Sequence, residues 1–187
     1  MAFWSTPLAN KDPKRAFRFQ LTITALGLVW YAKTVDRPSY TIESAEHKYL
    51  NHTFYYPGHV SWQEVTATLV DPTEPDVAKM VNKIIELSGY GPPVSEGDLT
   101  TLGKSSMVGN LGDVIIRMYD SGAPGSGEGE VGATPIETWT LKSAWISGVT
   151  HSGLDYSSED LSTVEVKLKY DWAELKTADD TEIFAGP

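Results

Sequence analysis

From Ser162 to Leu175 the chain reads STVEVKLKYDWAEL. Val164, Val166, Leu168, Tyr170 and Trp172 fall on one side of an extended backbone. Glu165, Lys167, Lys169 and Asp171 fall on the other. A period of two with this contrast is the mark of a β-strand with one dry and one wet face. Such a strand cannot bury its apolar side alone, so the rest of the chain must supply a second layer.

The other segments read the same way. In RAFRFQLTITAL, Phe17, Phe19, Leu21 and Ile23 oppose Arg18, Gln20, Thr22 and Thr24. LVWYAKTVDRP gives a second strand, pairing with the first through a turn at Gly27 and closed by Pro38. HVSWQEVTATLVD reads as one long strand whose apolar phase shifts between Trp62 and Val65, which predicts a bulge. DVIIRMYD and IETWTLKSAWISGV add further strands, and HSGLDYSSED supplies a hairpin connection. One helix is expected over 76–88: Asp76 can cap it, Val77, Met80, Val81, Ile84, Ile85 and Ser88 form its apolar stripe, and Gly89 stops it. The expected fold is therefore mainly β, an antiparallel sandwich or barrel of about six or seven strands with one flanking helix. A long extended loop is expected over 40–58. The whole chain, 1–187, reads as a single domain with an N-terminal arm (1–14), a Gly/Pro-rich loop inserted between strands (121–135) and a C-terminal tail (176–187).

Charge and composition narrow the function. There are 25 acidic against 15 basic residues and no cysteine. Disulfide scaffolds, zinc-thiolate sites and cysteine nucleophiles are excluded, and a net charge of −10 disfavours tight nucleic-acid binding. No apolar run approaches the ~20 residues that cross a bilayer, so stable membrane association is not expected. The opening residues lack the basic-then-apolar order of a signal peptide, which points to the cytoplasm or to assembly there.

Several patterns suggest chemistry and fail on spacing. GDLTTLGKSS ends like a phosphate-binding loop, but five residues separate Gly97 from Gly103 where four are required, and a polar loop is expected instead. His47, His52 and His59 match no helix face and no carboxylate completes a metal set. His151, Ser152 and Asp155 lack a nucleophile turn. No catalytic, cofactor-binding or metal-ligating residues are assigned, and the chain is not expected to be an enzyme. Of the six tryptophans, Trp62, Trp139, Trp145 and Trp172 fall in strand candidates. The aromatics that are hard to bury are Phe3, Trp4, Tyr49, Phe54, Tyr55 and Tyr56, the last three beside Pro57-Gly58. A cluster of this kind usually marks a protein interface. Pro57-Gly58 reads as the turn that sends the chain back into a strand.

The order of these features resembles the tail tube proteins of contractile-tailed bacteriophages. The resemblance rests on RAFRFQLTI, on the block AKTVDRPSYTIESAEHKYLNHTFYYPGHVSWQEVTATLVDP, on the helix at 76–88 and on GLDYSSEDLSTVEVKLKYDWAEL, across roughly residues 15–175. Loop 121–135 has no counterpart in it. The resemblance implies a structural virion protein whose hexameric rings stack into a tube, each subunit lending about four strands to one ring-shaped barrel. It implies partners of the same kind of particle: other copies of the chain, a tail sheath protein, a baseplate tube-initiator, a tape measure protein and a tail terminator. It also implies assembly in the host cytoplasm and transient, non-specific passage of DNA. Twenty-four strands ~4.8 Å apart and tilted ~35–45° enclose a bore of roughly 35–40 Å, wide enough for a duplex. An acidic wall would let DNA slide. In this reading Phe3, Trp4, Tyr49, Phe54, Tyr55, Tyr56, Pro57 and Gly58 make contacts between subunits or rings. The alternatives are a tube-initiator, tail cap or secreted injection-system tube protein of the same fold, and an aromatic carbohydrate-binding sandwich.

Overall fold

The computed structural model describes residues 14–94, 101–119 and 135–186. Phe3 and Trp4, the arm before Lys14 and residues 121–134 of the Gly/Pro-rich loop lie outside them.

The strands are β1 (Phe19–Ile23), β2 (Gly27–Val29), β3 (Ala32–Val35), β4 (Tyr40–Tyr49), β5 (His52–Trp62) and β6 (Val65–Val70), then β7 (Val114–Tyr119), β8 (Pro135–Lys142), β9 (Trp145–His151), β10 (Thr163–Lys169), β11 (Trp172–Thr177) and β12 (Glu182–Ile183). Two helices, α1 (Val77–Leu87) and α2 (Lys104–Leu111), lie between β6 and β7. A six-stranded sheet runs β12-β11-β8-β7-β1-β2, a four-stranded sheet runs β3-β6-β10-β9, and β4-β5 form a ribbon of their own. Every pairing is antiparallel.

The two larger sheets bury their dry phases in one cluster. Leu21, Ile23, Val114, Ile116, Leu141 and Ala173 come from the six-stranded sheet, and Val65, Ala67, Leu69, Ile146, Val164, Val166 and Leu168 from the four-stranded one. The helices add Val77, Val81, Ile84, Met107 and Leu111. This is the mainly β, antiparallel architecture with a flanking helix that the alternation predicts.

The strand count is higher than six or seven because several runs read as single strands are two strands in two sheets. The run at 28–38 breaks at Trp30–Tyr31: β2 pairs with β1, while β3 pairs with β6. The run at 59–71 breaks at Gln63–Glu64, so the phase shift after Trp62 separates β5 from β6 and is not a bulge within one strand. Ser143–Ala144 and Tyr170–Asp171 are further corners, where β8 gives way to β9 and β10 to β11. Ser143 turns with φ 54°. Chains that switch sheets at such bends make the corners of a sandwich. Phe17 is not on the dry face of β1. It precedes the strand and is 74% exposed.

Helix α1 begins where expected. The Asp76 carboxylate accepts from the Lys79 N–H at 2.7 Å, and Asp71 accepts from the Val77 and Ala78 N–H groups. It ends before Gly89 at φ 107°. The expectation of a single helix fails at α2, which occupies part of the stretch read as a polar loop. Only eight residues long, α2 buries just Met107 and Leu111, too short a stripe to announce itself. Asn110 donates to the Ser88 hydroxyl, which donates to the Ile84 carbonyl, tying the two helices together. The segment from 176 on, expected as a tail, returns through Asp180 so that β12 pairs with β11.

Candidate assembly interface

Residues 40–58, expected as a long extended loop, are extended and paired. They belong to a long hairpin in which β4 and β5 pair from Tyr40↔Trp62 to Tyr49↔His52. The connection is Leu50–Asn51, with Leu50 in the left-handed region at φ 51°. Pro57-Gly58 is therefore not the turn. It lies inside β5, where the register slips between Ile42↔Val60 and Ser44↔Pro57. There Gly58 and His59 together oppose Glu43, which makes a bulge. Gly58 suits the site because a Cβ would stand 3.0 Å from the Glu43 carbonyl oxygen.

The bulge redistributes the apolar side chains. Below it, Tyr40, Ile42, Val60 and Trp62 share a face. Beyond it, Ala45, His47 and Tyr49 face the same way as Tyr56, Phe54 and His52, on the opposite side of β4. Tyr55 pairs with Glu46 on the remaining face. The hairpin thus gathers Tyr49, Phe54, Tyr55, Tyr56, Pro57 and Gly58 from the predicted set, but divides the aromatics between two faces. The reading missed Tyr40, Ile42, Leu50 and Val60, which are exposed as well. The alternation of Tyr40 with Ile42 was the available signal.

The base is pinned and the tip is free of the core. Phe184 packs edge-on against Tyr40 and Trp62, with ring centroids 5.7 Å away in each case. Trp62 also meets Tyr40 at 5.1 Å and Tyr170 at 5.9 Å. Burial pushes the Tyr170 phenol up to about 12. Gly186 donates its N–H to Glu174, and with Lys142 beside it that carboxyl is held below its ordinary range. Near the tip the only ring contact among the described residues is within the hairpin, His52 on Phe54 at 4.7 Å. Apart from Thr53 and Trp62, every residue of β4 and β5 is exposed.

The second candidate surface is the outward face of the four-stranded sheet. Thr66 and Thr68 of β6 stand opposite Lys167 and Glu165 of β10. Lys167 lies 3.6 Å from Glu165, and Lys169 lies 3.9 Å from Glu64. The edge strands are β3 and β9.

The motifs set aside earlier are engaged in structure. Lys104 opens α2, and its ammonium contacts both Asp171 oxygens at 2.7 Å. Asp155 accepts from the Ser157 N–H and hydroxyl, which lower its pKa. Ser152 accepts from the Thr163 N–H. Among the described residues no group of three or more His, Asp or Glu side chains is arranged to hold a metal ion, and no helix is long and apolar enough to cross a membrane.

No family model matches the sequence. No curated protein matches it either. The fold, in contrast, has clear relatives among solved structures. A chain in the sheath–tube complex of an extracellular contractile injection system, PVC, in its extended state superposes with a TM-score of 0.63 at 15% identity, covering 91% of this chain and 95% of that one. A chain in the anti-feeding prophage cap, a tube-terminating cap, gives 0.63 at 15% identity, covering 95% and 99%. A chain in the six-fold symmetrised anti-feeding prophage baseplate gives 0.61 at 12% identity, covering 90% and 98%. The fold is thus the one found in tube-bearing contractile particles.

Proposed function

We propose that this chain is a structural subunit of the tail tube of a contractile particle. Six copies close into a ring, and rings stack into a hollow tube. The observation that carries this reading is the hairpin, a ribbon of two long strands whose aromatics stand exposed and, among the described residues, have almost no partner beyond its base. Exposed apolar surface of this extent is a liability in a lone subunit and an asset in an assembly. Tyr49, Phe54, Tyr55, Tyr56, Pro57 and Gly58 then act as contact residues between subunits or rings, with Phe3 and Trp4 as further contacts.

The four-stranded sheet suits the wall of the bore. Its strands alternate in direction, so β9 of one copy meets β3 of the next antiparallel, and a ring of any number of copies closes without a parallel seam. Its outward face would line the lumen. The net charge of −10 does not reside there: Lys167 is set against Glu165 and Lys169 against Glu64, amid threonines. On this reading the wall is mixed and Thr-rich, and passing DNA would find few uncompensated cations on it. The role is not enzymatic. Tail sheath, baseplate tube-initiator, tape measure protein and tail terminator complete the particle, which is assembled in the host cytoplasm and conducts DNA from a virion.

A second reading keeps the fold and changes the place: a tube-initiator, a cap, or the tube of an extracellular injection particle. The likeness to the anti-feeding prophage and PVC chains favours it. Negative-stain microscopy of the purified chain at rising concentration tests the common core. Rings and stacks are expected, and monomers alone at high concentration would refute it. Quantitative mass spectrometry of the intact particle separates the two, since a tube subunit recurs in many rings and an initiator or cap in one or a few.

A further inference from the structure

The hairpin extends one end of the β3–β6 pair, and the other end of that pair carries a second exposed apolar surface. The ladder runs from Tyr40↔Trp62 through Gln63 donating to Ser39 and Asp36 donating to Thr66, and reaches Ala32↔Leu69. At the far end Val70 donates to Tyr31 and Asp71 to Ser162, both at 2.9 Å. There Trp30 is 72% exposed, and on the β9–β10 connection Leu154 is 92% and Leu161 71% exposed. Tyr156 stands fully in solvent. An open groove of about 530 Å³ runs between Trp30, Tyr31, Lys33, Val70, Glu159 and Leu161.

The two ends complement each other in charge as well as in apolar character. From His47 to Phe54 the hairpin tip carries Lys48 and two histidines and no acid. The β9–β10 connection carries Asp155, Glu159 and Asp160 and no base. Two tips meeting about a two-fold axis would oppose like charges, whereas tip against far end opposes unlike ones. A contact between two different patches of the same chain is heterologous and propagates, which is what an open stack requires.

We infer that the hairpin tip of one copy docks on the Trp30 and β9–β10 surface of a second copy in the adjacent ring, with Lys48 facing Glu159 and Asp160. The inference rests on the ring-and-stack reading above. Three variants test it: Lys48→Glu, the pair Glu159→Lys with Asp160→Lys, and all three together. Single rings and stacks are counted separately by sedimentation velocity and micrographs, with circular dichroism confirming the fold. Each charge reversal should raise the concentration needed for stacking by about tenfold while sparing single rings, and the combined variant should return to within about twofold of the parent. Stacking unaffected by reversal at Glu159 and Asp160, or a combined variant that fails to recover, overturns the inference and leaves the ring reading intact. A parent chain that never passes beyond single subunits overturns both.

Discussion

Replacing Tyr55 and Tyr56 together with Ser should separate assembly from folding. In the isolated chain Tyr55 is 66% and Tyr56 54% exposed, so neither contributes much to the monomer. A tyrosine presents roughly 200 Å², which leaves on the order of 100–130 Å² of each to be covered by a neighbour. If half of that is buried on assembly, the pair supplies roughly 3 kcal/mol per subunit at ~25 cal/mol per Å². A ring–ring contact made six times would multiply this to about 18 kcal/mol before ordering costs. The folding cost should stay near ~1 kcal/mol, a Tm change of about 2–4 °C for a chain of this size. The assay pairs thermal unfolding at a concentration too low for assembly with light scattering and microscopy at a high one. The single variants sharpen it, because Tyr56 shares a face with Tyr49 and Phe54 while Tyr55 lies on the other. A much larger fall in Tm would place these rings in the monomer's own packing, and stacks forming as before would show that the ribbon is idle. Either result refutes the reasoning.

Phe184→Ala should loosen the hairpin base by about 1–2 kcal/mol, since roughly half of a phenylalanine is buried there. Hydrogen exchange should quicken around Tyr40 and Trp62 and remain slow in β7 and β10. The Tyr170 phenol is raised to about 12, so the folded state holds its proton more tightly than the unfolded one. The stability tied to this group is complete below pH ~10 and falls by about 2–3 kcal/mol as pH climbs through about 12, and Tyr170→Phe should flatten that part of the alkaline unfolding curve. Asp76→Ala removes the side-chain cap of α1 and should cost about 1 kcal/mol in denaturant unfolding, moderated because Asp71 still caps Val77 and Ala78.

The parts of this fold that were legible in the sequence, and the parts that were not, divide along a physical line. Alternation reports which side chains are dry, and it does so faithfully for β1, β6 and β10. It does not report which sheet a strand joins. Val164, Val166, Leu168 and Tyr170 are buried, but in β11 the buried residue is Ala173 and not Trp172. The dry phase therefore slips by one residue at the corner Tyr170–Asp171, and the apolar Trp172 hides the slip although β10 and β11 lie in different sheets. A strand that turns a corner without leaving the core looks like one long strand.

The hairpin misleads for the opposite reason. Both faces of β4 and β5 meet solvent, so no dry phase exists to be read, and the bulge moves the aromatics from one face to the other partway along. What remained visible was composition, a crowd of aromatics, and that was enough to mark the stretch as an interface candidate but not as a ribbon. Its turn was misplaced because Pro57-Gly58 has turn chemistry, while the actual reversal uses Leu50, a bulky residue at positive φ that turn rules disfavour. Leu50 is 87% exposed at the extreme tip. An apolar side chain held at a strained position and pointed into water gains nothing within the monomer. That combination makes sense where a second copy receives it, as at the Trp30 surface, which also stands exposed in the isolated chain.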